Sequence, residues 1–314
     1  MRVISVTPAG RRRYMEVLVP HLLRQRHVLQ EHHWWLNTDV AEDIAFVRQT
    51  CLDHPDFFRV NVKPFDSART HGDNIWKFFK DFAEPETVYV RFDDDIVWMA
   101  DDAVERLVRF RQEHRSPPLV LGNIVNNAVC STAHQKAGLI SAQQGVVRSD
   151  CLDENGWKNP LFSRLAHESF LNDLEQGRAE QWTQVEVPIG HAQRFSINVI
   201  CWLGEMMASL AELANDDLDE EPFLTERLPL QLGQSNRICN EALFAHFAFW
   251  PQRPYMDWTS GDLLERYRAL AMRQPARAEL LGHYRYHDAT WRASKPFRKL
   301  RRSVLKRLGK KIAA

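Results

Sequence analysis

The residues best placed to do chemistry lie in "VYVRFDDDIVWM", residues 88–99, where a β-branched and aromatic run ends in Asp93, Asp94 and Asp95. Three neighbouring carboxylates repel one another, and removing them from water is costly unless a cation or a set of donors compensates. On an extended chain Asp93 and Asp95 point the same way and Asp94 the other. Two hard oxygen ligands on one face suit Mg²⁺ or Mn²⁺, which takes one or two protein carboxylates and fills its octahedron with water and phosphate oxygens. An isolated acidic triplet is more often a solvated turn. The apolar "VYV" before this one and "IVWM" after it place it instead at the end of a buried strand, where ligands collect in layered α/β domains.

Such a pair needs a scaffold, and the flanking sequence supplies one. Residues 3–6 read as a short buried strand, after which Thr7 stands where it would cap a helix, with Pro8 in the first turn. Met15, Leu18, Leu22 and Leu23 then recur at helical spacing. "HHWWLNTD" (32–39) and "FFRVNVKP" (57–64) suit a second and a third strand, and "NIWKFFKDF" (74–82) a helix leading into the triplet's strand. Residues 101–113 read as a helix with Ala103, Val104, Leu107, Val108 and Phe110 apolar, and "PPLVLGNIVNN" (117–127) as a strand with a polar tip. Residues 128–195 mix turn formers with isolated aromatics and give no clear element pattern. Strands alternating with helices imply an α/β layered domain with a mostly parallel sheet.

In this order of elements the chain resembles the glycosyltransferases of the GT-A fold, in which a DxD motif after a central strand holds a divalent metal against the diphosphate of a nucleotide sugar. Here "FDDD" supplies the motif, and the resemblance is fullest over residues 1–127. It implies a Rossmann-like, mostly parallel central sheet flanked by helices, with a helical C-terminal region. Asp95 would be the main metal ligand, Asp93 would face the metal or the ribose, and Asp94 would lie beside the donor. A third ligand often comes from a histidine late in the chain, and "ALFAHFAFWPQR" (242–253) places His246 in an apolar run, where imidazole serves equally as a hydrogen-bonded core residue. Inverting transfer also needs a carboxylate to take the acceptor's proton. Two places offer one: Glu205 in "LGE", and the cluster Asp219, Glu220 and Glu221 before Pro222. The cluster would lie at a helix N-terminus, a position that fits simple capping as well. No clean base motif separates inversion from retention. For the nucleotide, the candidates are Thr7 and Arg11 after the first strand, and Asn74 and Lys77 at the start of the helix before the acidic strand. A cation there would offset the charge of a departing diphosphate.

Composition bounds the alternatives. The chain has 314 residues, 44% of them hydrophobic, enough for a substantial core. Five scattered cysteines without a CxxC pair argue for reduced thiols and against structural zinc. The longest apolar stretch, residues 195–210, is interrupted by polar groups, and the opening "MRVISVTPAGRRRY" lacks an apolar signal core, so a cytosolic protein without a membrane span is expected. The formal net charge is zero, yet from Lys295 onward there are nine Lys/Arg and no acid. That tail spaces Phe297, Leu300, Val304, Leu308 and Ile312 as an amphipathic helix fit for an anionic membrane surface. The acidic body and the absence of a recognised motif count against nucleic acid.

The expected organisation is a nucleotide-sugar-binding half (1–127), an acceptor-binding and catalytic half of the same domain (128–291) and a basic tail (292–314). The expected function is a Mn²⁺- or Mg²⁺-dependent glycosyltransferase, peripheral on the inner membrane face, acting on a glycan or lipid-linked saccharide in surface polysaccharide or lipopolysaccharide synthesis. A sugar-phosphate nucleotidyltransferase shares the need for acidic metal ligands after a strand, although "TPAGRRR" has a single glycine where such enzymes carry a glycine-rich basic loop. A non-catalytic glycan-binding protein is the third reading, drawing on ten tryptophans and seventeen phenylalanines. No GxGxxG, GxxxxGK[ST] or GxSxG occurs, which leaves dinucleotide, P-loop and serine-hydrolase readings without support.

Overall fold

A computed structural model describes residues 1–61, 78–210 and 219–273. Within them the β-branched and aromatic runs form β1 (Arg2–Ala9), β2 (Glu31–Leu36), β3 (Phe58–Asn61), β4 (Thr87–Phe92), β5 (Ile96–Met99), β6 (Val120–Val125), β7 (Val199–Leu203) and β8 (Arg237–His246). They make one mixed eight-stranded sheet in the order β3-β2-β1-β4-β7-β6-β8-β5. β1 to β4 pair in parallel, β6 pairs in parallel with β8, and β7 and β5 run against their neighbours. β1, β2, β3, β4, β6 and β8 therefore share one direction, and their carboxyl ends lie along one rim together with the starts of β7 and β5. Strands from both sides of residue 127 interleave in this sheet.

The α/β alternation expected from the sequence is present: α1 (Arg12–Arg24), α2 (Ala41–Asp53), α3 (Ala103–Glu113), α4 (Ala128–Lys136), α5 (Pro160–Glu175), α6 (Arg253–Thr259) and α7 (Gly261–Arg273) accompany the strands. A core of Tyr14 and Val17 from α1, Trp98 from β5, Phe162 and Phe170 from α5, Leu243 from β8 and Tyr267 from α7 joins the helices to the sheet.

Two local expectations need correction. Thr7 and Pro8 do not open a helix; they extend β1 opposite Trp34 and Trp35. The β4 ladder ends at the pair Val6–Arg91, so Pro8, which has no N–H to give, interrupts no pairing on that side. The helix begins only at Arg12, whose amide donates to the Asp43 carboxylate of α2 at 2.9 Å, a cap brought by tertiary contact. The unreadable middle contains α5, capped by Asn159, whose side chain accepts from the amides of Leu161 and Phe162 at 3.0 and 3.4 Å, with Pro160 at the first turn. The buried Phe162, Ala166 and Phe170 recur every four residues along α5, a helical signal present in the sequence. Of the helix expected at 74–82, Phe78–Asp81 is described. Asn74, Lys77 and the tail lie outside the described residues.

Candidate active site

The acidic triplet is not extended. Ile96 donates its amide to the Asp93 carbonyl at 3.2 Å, closing a turn between β4 and β5. The simple alternation of side chains is thereby lost, and Asp94 and Asp95 are both buried and both within reach of Arg11. Asp94 accepts the Gly10 amide at 3.0 Å and Arg11 Nε at 2.8 Å. It pins the β1–α1 junction to the β4–β5 turn. Burial pushes its carboxyl upward, with Arg11 opposing.

Asp95 is the electrostatic centre. Its Oδ2 lies 3.2 Å from Arg11 Nη1 and 3.1 Å from Arg253 Nη2. Burial opposes its ionisation, but the neighbouring guanidinium groups, Arg11 first and Arg253 with it, hold the carboxyl far below the usual carboxylate range. Its Oδ1 accepts no hydrogen bond among the described residues and faces His246 Nε2 at 3.4 Å. His246 ends β8, with Nδ1 3.3 Å from the Asn126 carbonyl. That partner can only accept, so Nδ1 carries the proton in the neutral ring and Nε2 presents a lone pair to a carboxylate oxygen.

Two lone pairs held face to face in a buried site call for a cation or a proton between them. Asp93 completes the group: ligand atoms of Asp93, Asp95 and His246 all lie within 4.8 Å of one another. Two carboxylates and an imidazole form a donor set that fits Mn²⁺ or Mg²⁺.

The supports of these three residues lie in the fold rather than in any motif. Asn126, directly after β6, has φ +60°, a conformation in which Asn is among the few tolerated side chains. There its Nδ2 lies within reach of the His246 and Phe247 carbonyls, at 3.3 and 3.0 Å, and of Gln252 Oε1 at 3.1 Å. His167 of α5 bridges the Phe247 carbonyl and the Tyr267 hydroxyl, both at 2.8 Å. Asp93 is set by Asn198, directly before β7, through Nδ2 at 3.0 Å and through a backbone bond at 2.9 Å. Asn127 reaches Asn198 in turn at 3.2 Å.

Asp93 is also joined to the later acidic cluster. Buried Arg91, two residues back on β4, donates to Asp93 Oδ1 at 2.9 Å and to Glu220 Oε1. Burial is the main reason that the Glu220 carboxyl is pushed up to about 7, and Arg91 offsets it only in part. Glu221 turns elsewhere, to Arg194 Nε at 2.8 Å and Cys151 Sγ at 3.4 Å. Asp219 is exposed.

Of the residues singled out from the sequence, the fold thus brings together Asp93, Asp94, Asp95, His246 and Arg11, with Glu220 attached through Arg91. It does not bring Glu205 there. Glu205 follows the carboxyl end of β7, which runs against β4, so it lies by the start of β4 and pairs with Arg115 at 2.6 Å. Thr7 is buried in β1, and its hydroxyl has no hydrogen-bond partner among the described residues.

Arg91, Asn126, Asn198 and Arg253 escaped the sequence reading. Arg91 left a trace, as a charge in an otherwise apolar strand at i−2 from Asp93, and Asn126 another, in the polar tip of the strand read at 117–127.

No family model matches the chain, and no curated protein matches it. Among solved structures, a mannosyltransferase from Pyrobaculum calidifontis in complex with GDP-Man and Mn²⁺ aligns at 14% identity with a TM-score of 0.48, over 87% of this chain and 64% of that one. The chain thus spans less than two thirds of that structure. A CMP:2-keto-3-deoxy-manno-octonic acid synthetase complexed with CTP aligns at 13% identity and TM-score 0.42, over 87% of this chain and 99% of that one. A 4-diphosphocytidyl-2C-methyl-D-erythritol synthase from Anaerococcus prevotii aligns at 9% identity and TM-score 0.45, over 86% and 96%.

Proposed function

We propose that this chain is a GT-A-type, metal-dependent glycosyltransferase that uses a nucleotide-diphosphate sugar. One observation carries the reading: Asp95 Oδ1, buried and without a hydrogen-bond partner among the described residues, faces His246 Nε2 beside Asp93 at the rim where the strands' carboxyl ends meet. In this reading Asp93, Asp95 and His246 hold Mn²⁺ or Mg²⁺. Bound there, the ion supplies charge neutralisation for a departing diphosphate. Arg11 and Arg253 flank Asp95 and place two further cations at the same rim, where they orient the phosphates and stabilise negative charge as it develops.

Glu220 takes the acceptor's hydroxyl proton. Arg91 orients its carboxyl, and a carboxyl titrating near neutrality is a better base than an ordinary one. The acceptor is a glycan or lipid-linked saccharide of surface polysaccharide or lipopolysaccharide synthesis, with the basic tail resting on an anionic membrane. No helix among the described residues is long and apolar enough to cross a membrane.

Sugar-phosphate nucleotidyl transfer is the second reading. The feature that favours it is the run Arg11, Arg12 and Arg13 after β1, where a triphosphate would be met, although each of these arginines is already paired with an acid: Asp94, Glu16 and Asp257.

A thermal-shift screen separates the readings. Mn²⁺ with a UDP- or GDP-sugar should raise Tm by selective binding to the native state, EDTA should reverse the shift, and Asp95→Ala should abolish it. A shift with nucleoside triphosphates, together with pyrophosphate release from sugar phosphates, would favour nucleotidyl transfer instead. No metal-dependent shift with any nucleotide would remove both readings.

A further inference from the structure

The loop between His246 and Arg253 carries a feature that the metal site does not use. Trp250 is 69% exposed, yet its ring meets Trp157 edge to face, with centroids 5.8 Å apart and planes at 81°. Both rings sit on segments braced from beneath. Gln252 is fully buried; its Oε1 accepts the Phe249 amide at 3.1 Å, and its Nε2 donates to the Gly156 carbonyl at 3.3 Å. One side chain therefore ties the residue before Trp250 to the residue before Trp157. Gly156 is seated so tightly on α4 that a Cβ there would lie 2.9 Å from Ala128 Cα. The loop's ends belong to the carboxylate site, since His246 and Arg253 both reach Asp95. An indole is thus displayed on the loop that joins two residues of the site, braced by Trp157, without the burial that normally stabilises so large an apolar side chain.

The surroundings identify the ligand's chemistry. The turn that carries Trp157 is polar, with an exposed ion pair between Glu154 and Lys158. A pyranose ring needs one apolar face for its C–H groups and polar neighbours for its hydroxyls, and the negative face of an indole attracts those polarised C–H groups. We infer that Trp250, braced by Trp157, is the stacking platform for a sugar ring of the acceptor saccharide. This rests on the glycosyltransferase reading and adds the acceptor's position: on the loop side of the metal site, over the segment that also carries Arg253.

Saturation-transfer NMR on the full chain, with methyl α-mannoside, methyl β-galactoside and maltotriose as probes, tests this without knowledge of the natural acceptor. The wild type should transfer saturation to the ring protons of at least one probe. Trp250→Ala should weaken that probe's binding about tenfold, as expected for loss of a central aromatic anchor, while Trp250→Phe retains part of it. Calorimetric binding of Mn²⁺ and nucleotide sugar should be unchanged in Trp250→Ala. Equal transfer in wild type and Trp250→Ala, transfer to none of the probes, or a parallel loss of donor binding in Trp250→Ala would each overturn the platform. Trp250-dependent sugar binding in a wild type that takes no donor would sustain the platform and defeat the donor reading instead.

Discussion

Glu220 shows how a single residue can report its own surroundings. Its folded-state pKa of about 7 lies above the ordinary 4.5, with burial as the leading cause. Between those values the native state keeps a proton that the unfolded chain has released. The resulting stabilisation is full below about 4.5 and is lost as pH rises through about 7. Glu220→Gln cannot titrate, so its Tm should fall less than that of the wild type between about pH 5 and pH 8 in a buffered melting series. In the proposed reaction the deprotonated form is the base, so the wild-type rate should climb through about pH 7, and Glu220→Gln should lose about 10²- to 10⁴-fold of it. An unchanged rate in the variant would move the base elsewhere. Asp95 differs from Glu220 in kind: the guanidinium groups of Arg11 and Arg253 flank it, so its charge is stabilised where burial opposes that of Glu220.

At the scale of elements, the junction between β6 and α4 sets the geometry of β8's end. Asn126 holds φ +60° and places both its carbonyl and its amide against the segment that begins at His246. Glycine tolerates that backbone but forfeits the amide's bonds; alanine forfeits the bonds and adds left-handed strain. Asn126→Gly should therefore be destabilised less than Asn126→Ala, by about 1 kcal/mol in urea unfolding. Both variants should bind Mn²⁺ more weakly in calorimetry, because loss of the amide's bonds to the His246 and Phe247 carbonyls loosens the backbone that carries the ring. If the two variants bind the metal as the wild type does, the Asn126 side chain has no part in positioning His246.

Across the whole molecule, buried histidines make acid the main threat to the native state. Burial lowers His134 to about 3 and His167 to about 4, from 6.5. His134 packs its Nε2 on Asn123 Oδ1 at 2.9 Å, and His167 bridges Tyr267 and Phe247. Both stay neutral in the folded chain, whereas the unfolded chain binds protons below 6.5. Their contribution is complete above 6.5 and is lost as pH falls through about 4 and then about 3. Urea midpoints should therefore drop steeply on acidification below about pH 6. His134→Gln, which retains a donor for Asn123, should flatten part of that slope. An unaltered slope would place the acid sensitivity in other groups.

The sequence by itself determined the α/β alternation, the acidic triplet at the end of a buried strand and a histidine within an apolar run, because hydrophobic period and charge density are properties of contiguous residues; that the triplet closes a turn was not visible in it. It misread Thr7 and Pro8, since a helix start can be capped from another element, as Asp43 does for α1. It ranked Glu205 beside Glu220, since strand direction is invisible along the chain, and the reversal of β7 sends Glu205 to the opposite rim. Only the tertiary structure brought His246 to Asp95, Arg91 between Asp93 and Glu220, and Trp250 onto Trp157. Those pairings join residues far apart in sequence, and it is the order and direction of strands in the sheet that makes them neighbours.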